Sequence, residues 1–322
     1  MLDFVVTLAA AFVLSAILGI FLIPLLHRLK FGQEIREEGP KWHKKKSGTP
    51  TMGGIIFIGA SVVSVFGFYV FKKDFSGLKN GAVIMSCALA FGLIGLVDDY
   101  IKVILKRNLG LTAIQKFSLQ VLVSLVYSAC AIGFGETDME VFIPFAKLWV
   151  NLGYLIIPLD MLVMLATVNS VNLTDGLDGL AATVTIIVSA FFAAIAEKTG
   201  ASAVVVVCAG LCGGLLGFLI YNKYPAKVFM GDTGSLFLGG LLASVAVYMR
   251  NPFILIIVGF VYVAESLSVI IQVAYFKKTG KRIFKMSPIH HHFEMCGLSE
   301  RKIVFMFSAV TVLLSVIGYF AI

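Results

Sequence analysis

Charged residues are scarce in this sequence. Asp, Glu, Lys and Arg make up 14% of its 322 residues, whereas 59% are hydrophobic, and the mean hydropathy is +0.97. A soluble domain has about a quarter charged residues, and no polar stretch here approaches the ~50 residues of a small soluble domain. The sequence therefore excludes a soluble protein and predicts one integral membrane domain over residues 1–322.

Cysteines are also few and lack a functional pattern. Cys87, Cys130, Cys208 and Cys212 lie in apolar runs, and Cys296 stands alone in a polar loop. Neither a disulfide framework nor a zinc site has this spacing. The N-terminus lacks the basic region and cleavage site of a signal peptide, so we expect the first apolar run to remain as a span.

Ten apolar blocks have about the length of a transmembrane helix, which is roughly 17–25 residues. We predict an all-α, polytopic membrane helical bundle of ten transmembrane helices. An even number of spans puts both termini on one side of the membrane. The predicted spans are 4–26, 51–71, 81–97, 117–134, 154–171, 179–196, 201–221, 235–249, 252–276 and 303–322.

The basic residues indicate which side of the membrane is cytoplasmic. Loops that follow odd-numbered spans contain 20 of the 26 Lys and Arg residues. Cytoplasmic loops carry such an excess, so we expect these loops in the cytoplasm and both termini outside. Topology and attraction to anionic lipid account for the net charge of +8, which therefore does not indicate nucleic-acid binding.

The odd-numbered loops also contain every dense polar cluster of the chain. These clusters are the segments 44–54, 98–102, 172–179, 222–235 and 287–294. Because they are predicted to lie on one face, we expect one composite cytoplasmic site. The outer loop at 135–153 differs, because its segment 139–144 fits a short hairpin or a stretch along the membrane interface.

Asp98 and Asp99 end an uncharged run that begins at Asn80. Adjacent carboxylates at a membrane boundary cost free energy unless a cation neutralises them, and acids are disfavoured at a helix C-terminus. Lys102, one turn further on, offsets part of this cost. Paired carboxylates are typical of a Mg²⁺ site or a general base. Asp98 and Asp99 are therefore candidate catalytic residues.

The segment 172–179 contains Asn172, Asp175, Asp178 and two glycines. A tight turn with Asp178 as the N-cap of the next span explains one acid only. Glycines at 176 and 179 would let backbone N–H groups approach a ligand closely. We therefore favour a ligand-binding loop.

Asp232 lies in the segment Gly231–Ser235, which opens the eighth span. Thr233 or Ser235 would serve as an ordinary helix cap. A helix N-terminus also attracts phosphate, so Asp232 is a candidate metal ligand near a phosphorylated substrate.

His290, His291 and His292 lie in a strongly basic loop. Consecutive histidines point to different faces and no cysteine stands at ligand spacing, so phosphate contacts are favoured over zinc. Glu265 lies inside the ninth span, where an acid has a functional or structural role by default, or marks a break in a long helix. Asp160, near the outer end of the fifth span, is expected to snorkel.

Basic residues such as those at 41–46 normally serve only to set the orientation of the protein in the membrane. The neighbouring segment 49–54 favours a functional role for Lys46. A proline turn beside Gly53 and Gly54 also permits close helix packing. Together, the carboxylates, glycine loops, lysines and histidines indicate transfer between a soluble nucleotide donor and a lipid phosphate acceptor.

These motifs resemble those of the phospho-N-acetylmuramoyl-pentapeptide transferases, a family of polyprenyl-phosphate sugar-1-phosphate transferases. The resemblance runs end to end and is carried by the segments 48–54, 98–100, 172–180, 229–235 and 288–294. It implies a Mg²⁺-dependent enzyme of the bacterial inner membrane. The implied reaction converts UDP-N-acetylmuramoyl-pentapeptide and undecaprenyl phosphate to lipid I and UMP in peptidoglycan biosynthesis. The resemblance also implies that the protein can form a homodimer, although no residue in the sequence indicates one.

The resemblance implies roles for individual residues. Asp232 would be the main Mg²⁺ ligand with Asn172 as a second, and Asp98, beside Asp99, would be the general base. The lipid tail would lie in a groove by spans five and nine. The residues implied for the uridine pocket are Lys46, Asp175, Gly176, Leu177, Asp178, Asn222 and Phe229. Thr51 in the first loop is a further candidate substrate-binding residue. The residues implied for contacts with the diphosphate or the lipid phosphate are Lys102, Lys116, His290, His291 and His292. Of these, Lys102, His290 and His291 are candidate catalytic residues, as is Asp232.

Three alternatives stay open at this point. The lipid phosphate attacks directly, or Asp98 forms a covalent phosphorylated intermediate. A sister enzyme that transfers N-acetylglucosamine-1-phosphate would need the same carboxylates, although the segments 46–54 and 288–294 favour the muramoyl-pentapeptide donor. A transporter would place acids near the midplane of the membrane, whereas most acids here lie near one surface.

Overall fold

The computed structural model describes residues 1–28, 48–104, 110–133 and 139–322. These residues are almost entirely helical. The helices are α1 (Leu2–Arg28), α2 (Gly54–Lys72), α3 (Phe75–Ile104), α4 (Ala113–Gly133), α5 (Ile156–Thr174), α6 (Leu180–Thr199), α7 (Ser202–Asn222), α8 (Gly231–Tyr248), α9 (Ile254–Val258), α10 (Phe260–Thr279), α11 (Ile289–Met295) and α12 (Glu300–Ala321).

Within the described residues, nine helices are long and apolar enough to cross a membrane. They are α1 to α7, α10 and α12. The prediction of an all-α, polytopic membrane protein is therefore confirmed. The eighth predicted span corresponds to α8, which is 18 residues long and is not among the nine, because it opens with the polar segment Gly231–Ser235.

The ninth predicted span, 252–276, is interrupted. It forms α9 and α10, which meet at Gly259. The backbone of Gly259 leaves helical geometry with φ −94° and ψ 19°, and glycine is a poor helix former. The break thus falls six residues before Glu265, and Glu265 itself lies inside α10.

Helices α7 and α8 form the centre of the bundle. In α7, 83% of the most apolar window is buried, and every α8 residue from Thr233 to Val247 is buried. The long helix α3 packs along α8, while α5 covers another side of it and α1 and α6 pack on α7. A helix that is buried on all sides needs no polar face, which agrees with the apolar sequence of α8 after Ser235. The packing of α3 and α5 against α8 places the start of α8 among its neighbours.

Both ends of the chain meet the end of α6. The Met1 ammonium lies 2.8 Å from Glu197 Oε1, and Lys198 Nζ lies 5.3 Å from the centre of the Tyr319 ring in α12. The two termini therefore lie at the same end of the bundle.

A short antiparallel hairpin precedes α5. Its strands are β1 (Glu140–Ile143) and β2 (Leu148–Asn151). Phe142 N donates a hydrogen bond to Arg250 O at 2.8 Å, and Phe145 N donates to Ala321 O at 2.9 Å. The hairpin that the segment 139–144 suggests is thus present and is attached to α12.

The expectation that Asp160 snorkels is wrong. Its side chain is 1% exposed, and its Oδ2 accepts a hydrogen bond from Ser128 Oγ at 3.0 Å and lies 3.4 Å from Arg250 Nη1. A buried carboxylate is tolerated when a cation and hydrogen bonds compensate it. Arg250, beyond the end of α8, supplies that cation from a distant part of the chain.

Candidate active site

Three carboxylates meet where α3 passes the start of α8. One oxygen atom from each of Asp98, Asp99 and Asp232 lies within 4.8 Å of the others. Asp98 and Asp99 are 2% and 3% exposed. The helices approach closely because a Cβ at Gly95 would collide with the carbonyl group of Asp232. The backbone contact at Gly95 thus sets the spacing of the acids.

Asp99 caps the N-terminus of α8. Its Oδ1 accepts a hydrogen bond from Asp232 N at 3.2 Å, and its Oδ2 accepts from Thr233 N at 2.9 Å and Thr233 Oγ1 at 2.7 Å. A negative charge at a helix N-terminus is also favoured by the helix dipole. Both carboxylate oxygens of Asp99 are therefore used in hydrogen bonds to the start of the helix that contains Asp232.

Asp98 faces a lysine and the start of α4. Its Oδ2 lies 2.6 Å from Lys102 Nζ, and its Oδ1 accepts a hydrogen bond from Leu111 N at 2.8 Å. The adjacent acids therefore point to different partners.

Asp232 is held by three side chains. Its Oδ2 lies 2.8 Å from both Lys102 Nζ and Lys116 Nζ, and its Oδ1 accepts a hydrogen bond from Asn172 Nδ2 at 2.9 Å. Burial alone would raise the pKa of Asp232, but a hydrogen bond with Asp98 and the two ammonium groups hold this pKa well below its ordinary value. Asp232 is therefore ionised at neutral pH.

The segment 50–54 is joined to the start of α8. Phe229 N donates to Pro50 O at 2.8 Å, Gly53 N donates to Phe229 O at 2.8 Å, and Gly54 N donates to Met230 O at 3.0 Å. A Cβ at Gly54 would lie 2.5 Å from Gly234 Cα, so the predicted close packing is present.

Thr51 lies beside the acid cluster. Gly231 has φ +69°, and a Cβ there would lie 2.6 Å from Thr51 Oγ1 and 2.5 Å from Asp99 Oδ2. Only glycine adopts this backbone readily and leaves that space open. The predicted residue Lys46 lies outside the described residues.

His290 forms a second centre with Glu265. His290 is 1% exposed and Glu265 is fully buried, with His290 Nδ1 3.0 Å from Glu265 Oε1. A Cβ at Gly176 would collide with His290 Nε2. The intramembrane acid thus orients the histidine, and Gly176 leaves room for its ring.

The other two histidines have different partners. His291 Nδ1 lies 2.7 Å from Glu294 Oε2. His292 Nδ1 accepts a hydrogen bond from Lys285 N at 3.2 Å, so this ring is engaged within its own loop. Sequence reasoning gave Glu294 no role, although its spacing of three from His291 on a short helix would have indicated the contact.

The loop after α5 is fixed by internal bonds. Asp178 Oδ2 accepts from Ala226 N at 2.9 Å, while Asn222 Oδ1 accepts from Gly179 N at 3.1 Å and Asn222 Nδ2 donates to Val228 O at 2.9 Å. Leu177 is 3% exposed and belongs to the apolar core. These predicted uridine contacts therefore shape the loop, and their part in binding stays a prediction.

Asp175 occupies an acidic environment. Burial, followed by the charges of Asp232, Asp99 and Asp178, raises its pKa well above the ordinary value. Phe229, predicted to stack on uridine, is half-buried in the segment bound to Pro50. Both residues lie within the group of loops formed by the contacts above, which bring together the described parts of the five predicted polar segments.

Comparison with known proteins identifies the family. A model described as glycosyl transferase family 4 matches residues 82–250, and the phospho-N-acetylmuramoyl-pentapeptide-transferase signature 1 matches residues 46–58. A phospho-N-acetylmuramoyl-pentapeptide-transferase of Clostridium novyi (strain NT) is 54% identical over 310 residues, covering 96% of this chain and 94% of the relative. The chain belongs to this family.

Other phospho-N-acetylmuramoyl-pentapeptide-transferases give the same result. The protein of that name from Clostridium botulinum (strain Eklund 17B / Type B) is 50% identical over 315 residues, covering 98% of this chain and 95% of the relative. The signature at 46–58 favours this family over the sister N-acetylglucosamine-1-phosphate enzymes and over a transporter. The chain is thus a membrane-embedded member of a transferase family.

Proposed function

We propose that this protein transfers phospho-N-acetylmuramoyl-pentapeptide from UDP-N-acetylmuramoyl-pentapeptide to undecaprenyl phosphate, giving lipid I and UMP. The observation that carries this proposal is the cluster of Asp98, Asp99 and Asp232 with two lysines. This cluster lies in a member of the phospho-N-acetylmuramoyl-pentapeptide-transferase family. Such a site has both the acids and the cations that phosphoryl transfer needs.

The donor set fits Mg²⁺. Asp98, Asp99 and Asp232 offer carboxyl oxygens within 4.8 Å of one another, and the ammonium groups of Lys102 and Lys116 lie beside Asp232. Carboxylate oxygens are preferred Mg²⁺ ligands. Asp232 would be the main ligand, with Asn172 beside it as the second. Asp99 is less suited to this role, because its oxygens accept hydrogen bonds from the start of α8. When bound, Mg²⁺ would neutralise charge on the diphosphate.

Asp98 would act on the acceptor. A phosphate monoester has a second pKa of about 6, so a base need only remove its last proton. An oxygen of the lipid phosphate then attacks the sugar-bearing phosphorus, and the bridging P–O bond to UMP breaks. In the alternative scheme, the Asp98 carboxylate makes the first attack and the lipid phosphate the second. Lys102 Nζ lies 2.6 Å from Asp98 Oδ2 and would pair with this carboxylate in both schemes.

Lysines and histidines would stabilise the growing negative charge. Lys102 and Lys116 converge on Asp232 Oδ2, so both ammonium groups are already oriented near the position of the phosphates. His290 is held by Glu265 and would donate from Nε2 to a phosphate oxygen. Donors fixed before the reaction stabilise the transition state without reorganisation.

The expected setting is the bacterial inner membrane. Support for a cytoplasmic site comes from the sequence, because the loops that follow odd-numbered spans contain 20 of the 26 Lys and Arg residues and also contain Asp98 and Asp232. This arrangement, with ten crossings including α8 and both termini outside, gives the site access to a soluble nucleotide.

The reaction is tested with the purified full chain, undecaprenyl phosphate and Mg²⁺. UMP release is measured with UDP-N-acetylmuramoyl-pentapeptide and, separately, with UDP-N-acetylglucosamine. We expect turnover with the first donor only, and its loss when EDTA removes the metal. Turnover with UDP-N-acetylglucosamine alone would overturn the donor, and full activity in EDTA would overturn the Mg²⁺ site.

A further inference from the structure

The hairpin before α5 has an exposed apolar strand. All four residues of β2 are exposed, and Leu148 and Trp149 keep 59% and 57% of their surface accessible. In β1, by contrast, Val141 and Phe142 are buried. The two strands are paired along their whole length, so β1 packs on the bundle and β2 forms the outer edge of the hairpin. The apolar side chains of β2 therefore have little cover from the described residues.

The exposed apolar surface continues on both sides of β2. Phe145, in the turn of the hairpin, is 63% exposed. Tyr154 and Leu155, in the 3₁₀ turn Gly153–Leu155 before α5, are 75% and 70% exposed. Large exposed apolar patches mark interaction surfaces. The segment 145–155, called the hairpin segment below, exposes six large apolar side chains, which are Phe145, Leu148, Trp149, Val150, Tyr154 and Leu155.

Two backbone contacts place the hairpin along one end of the bundle. Phe145 N donates a hydrogen bond to Ala321 O at the end of α12, and Phe142 N donates to Arg250 O just beyond α8. Helix α12 is one of the nine that are long and apolar enough to cross a membrane in the part of the chain that the structure describes. The hairpin therefore runs between two helix ends, at the level where a spanning helix leaves the lipid.

The end of α12 extends the same surface. Tyr319 and Phe320, just before the residue that binds Phe145, are 39% and 74% exposed. Tryptophan and tyrosine are enriched at the boundary between lipid and water, because each ring has an apolar body and a polar group. Trp149 and Tyr154 are thus of the residue types expected at this depth, and they continue a surface of a spanning helix.

The edge of β2 excludes a deeper position. The sheet has two strands in the described residues, so β1 cannot pair the backbone N–H and C=O groups on the outer edge of β2. Such groups are not tolerated in hydrocarbon, where no water can bind them. The exposed Leu148 and Trp149, in turn, disfavour bulk water. The headgroup region of a membrane satisfies both requirements.

We infer that the hairpin segment lies in the headgroup region of the membrane, with Trp149 and Tyr154 inserted among the phospholipids. The leaflet is the one at the end of the bundle that holds both termini. The partner is lipid rather than a second copy of the chain, because an edge strand of four residues is too short to favour pairing between copies and its apolar surface continues onto α12.

The anchored hairpin has a consequence for α5. This helix begins at Ile156, directly after the hairpin segment. Its other end contains Asn172, whose Nδ2 lies 2.9 Å from Asp232 Oδ1. The membrane contact of the hairpin segment thus fixes the depth of a helix that reaches the acid cluster. The contact itself does not depend on the proposed reaction.

Trp149 provides the test, because the chain has only one other tryptophan, Trp42. In Trp42→Phe the tryptophan emission comes from Trp149 alone. The purified full-length variant is placed in phosphatidylcholine nanodiscs whose lipids carry a nitroxide either near the headgroup or near the end of the acyl chain. Interfacial elements bury their apolar face about 5–10 Å into the headgroup and acyl boundary. We therefore expect the shallow nitroxide to quench Trp149 more strongly than the deep nitroxide.

A tryptophan placed deeper on α12 is the matched control. Leu313 is 61% exposed and lies eight residues before the end of α12, which is about 12 Å along a helix. In Trp42→Phe/Trp149→Phe/Leu313→Trp the deep nitroxide should be the stronger quencher. Aqueous iodide should quench Trp149 at least about 3-fold less than it quenches N-acetyltryptophanamide, because the boundary region shields an interfacial ring.

A second comparison serves if Trp42→Phe does not fold. The emission of the wild type minus that of Trp149→Phe is the emission of Trp149. This difference should show the same preference for the shallow nitroxide.

Three results would overturn the inference. Iodide quenching equal to that of N-acetyltryptophanamide, without quenching by either lipid, would place the hairpin segment in water. Stronger quenching by the deep nitroxide would place it in hydrocarbon. Protection from iodide and from both lipids, in nanodiscs that hold two copies but not in those that hold one, would show that a second copy covers it. UMP release is not a readout here, so failure of the proposed function would leave this test unaffected.

Discussion

Asp99 caps the helix that contains Asp232, because its carboxylate accepts hydrogen bonds from the backbone N–H and the hydroxyl of Thr233. Its neighbour Asp98 instead faces Lys102. The two adjacent acids therefore have different tasks. Asp99 positions α8, whereas Asp98 faces the lysine that also contacts Asp232.

Replacing Asp99 should lower stability as well as activity. Asp99→Ala removes the acceptor for the first N–H groups of α8, and loss of a helix cap costs about 0.5–2 kcal/mol. We expect a lower Tm in detergent and reduced UMP release. Asp98→Asn should reduce activity with a smaller change in Tm, since Asp98 does not cap α8. Equal Tm values for Asp99→Ala and wild type would contradict the capping role.

Replacing Asp232 should remove most of the activity. Asp232→Asn loses the charge that faces Lys102 and Lys116 and weakens metal binding, so UMP release should fall about 100-fold or more. The control is Asp3→Asn, an exposed carboxylate near Lys72 at the other end of the bundle, which should leave the rate unchanged. Similar rates for the two variants would contradict the placement of Asp232 in the site.

A single methyl group at Gly176 should disturb His290. In Gly176→Ala the new Cβ meets the imidazole, and displacing an aligned group in a site costs on the order of 100-fold in rate. Gly67→Ala is the control, since a Cβ at Gly67 has no atom within 4 Å among the described residues. Kinetics of UMP release for the two variants gives the comparison. Wild-type rates for Gly176→Ala would show that His290 does not need its present position.

Arg250 should be needed to compensate Asp160. Arg250→Met leaves a buried carboxylate without its cation, and breaking a buried ion pair costs about 3–5 kcal/mol. Adding Asp160→Asn should recover part of this loss because the uncompensated charge disappears. Unfolding in SDS or urea measures the three free energies. A double variant less stable than Arg250→Met would contradict the pairing.

The features of the fold that depend on local sequence pattern could be predicted from the sequence. Most spans follow from runs of apolar residues, and the polar loops follow from their interruptions. The sequence could not show partners that folding brings together, such as Glu265 with His290 or Asp160 with Arg250, which are 25 and 90 positions apart. The crossing of the membrane by α8 stays a prediction, because this helix opens with the polar segment Gly231–Ser235 and is covered by protein neighbours.

The contact between Gly95 and the carbonyl group of Asp232 has a consequence for motion in this protein. Two backbones in direct contact cannot slide or rotate past each other without a clash. The spacing of the acids is therefore built into the rigid centre of the bundle and is preorganised before any substrate arrives. Adaptation to a large donor must come instead from the surrounding elements, α4 with its lysine and α11 with its histidines.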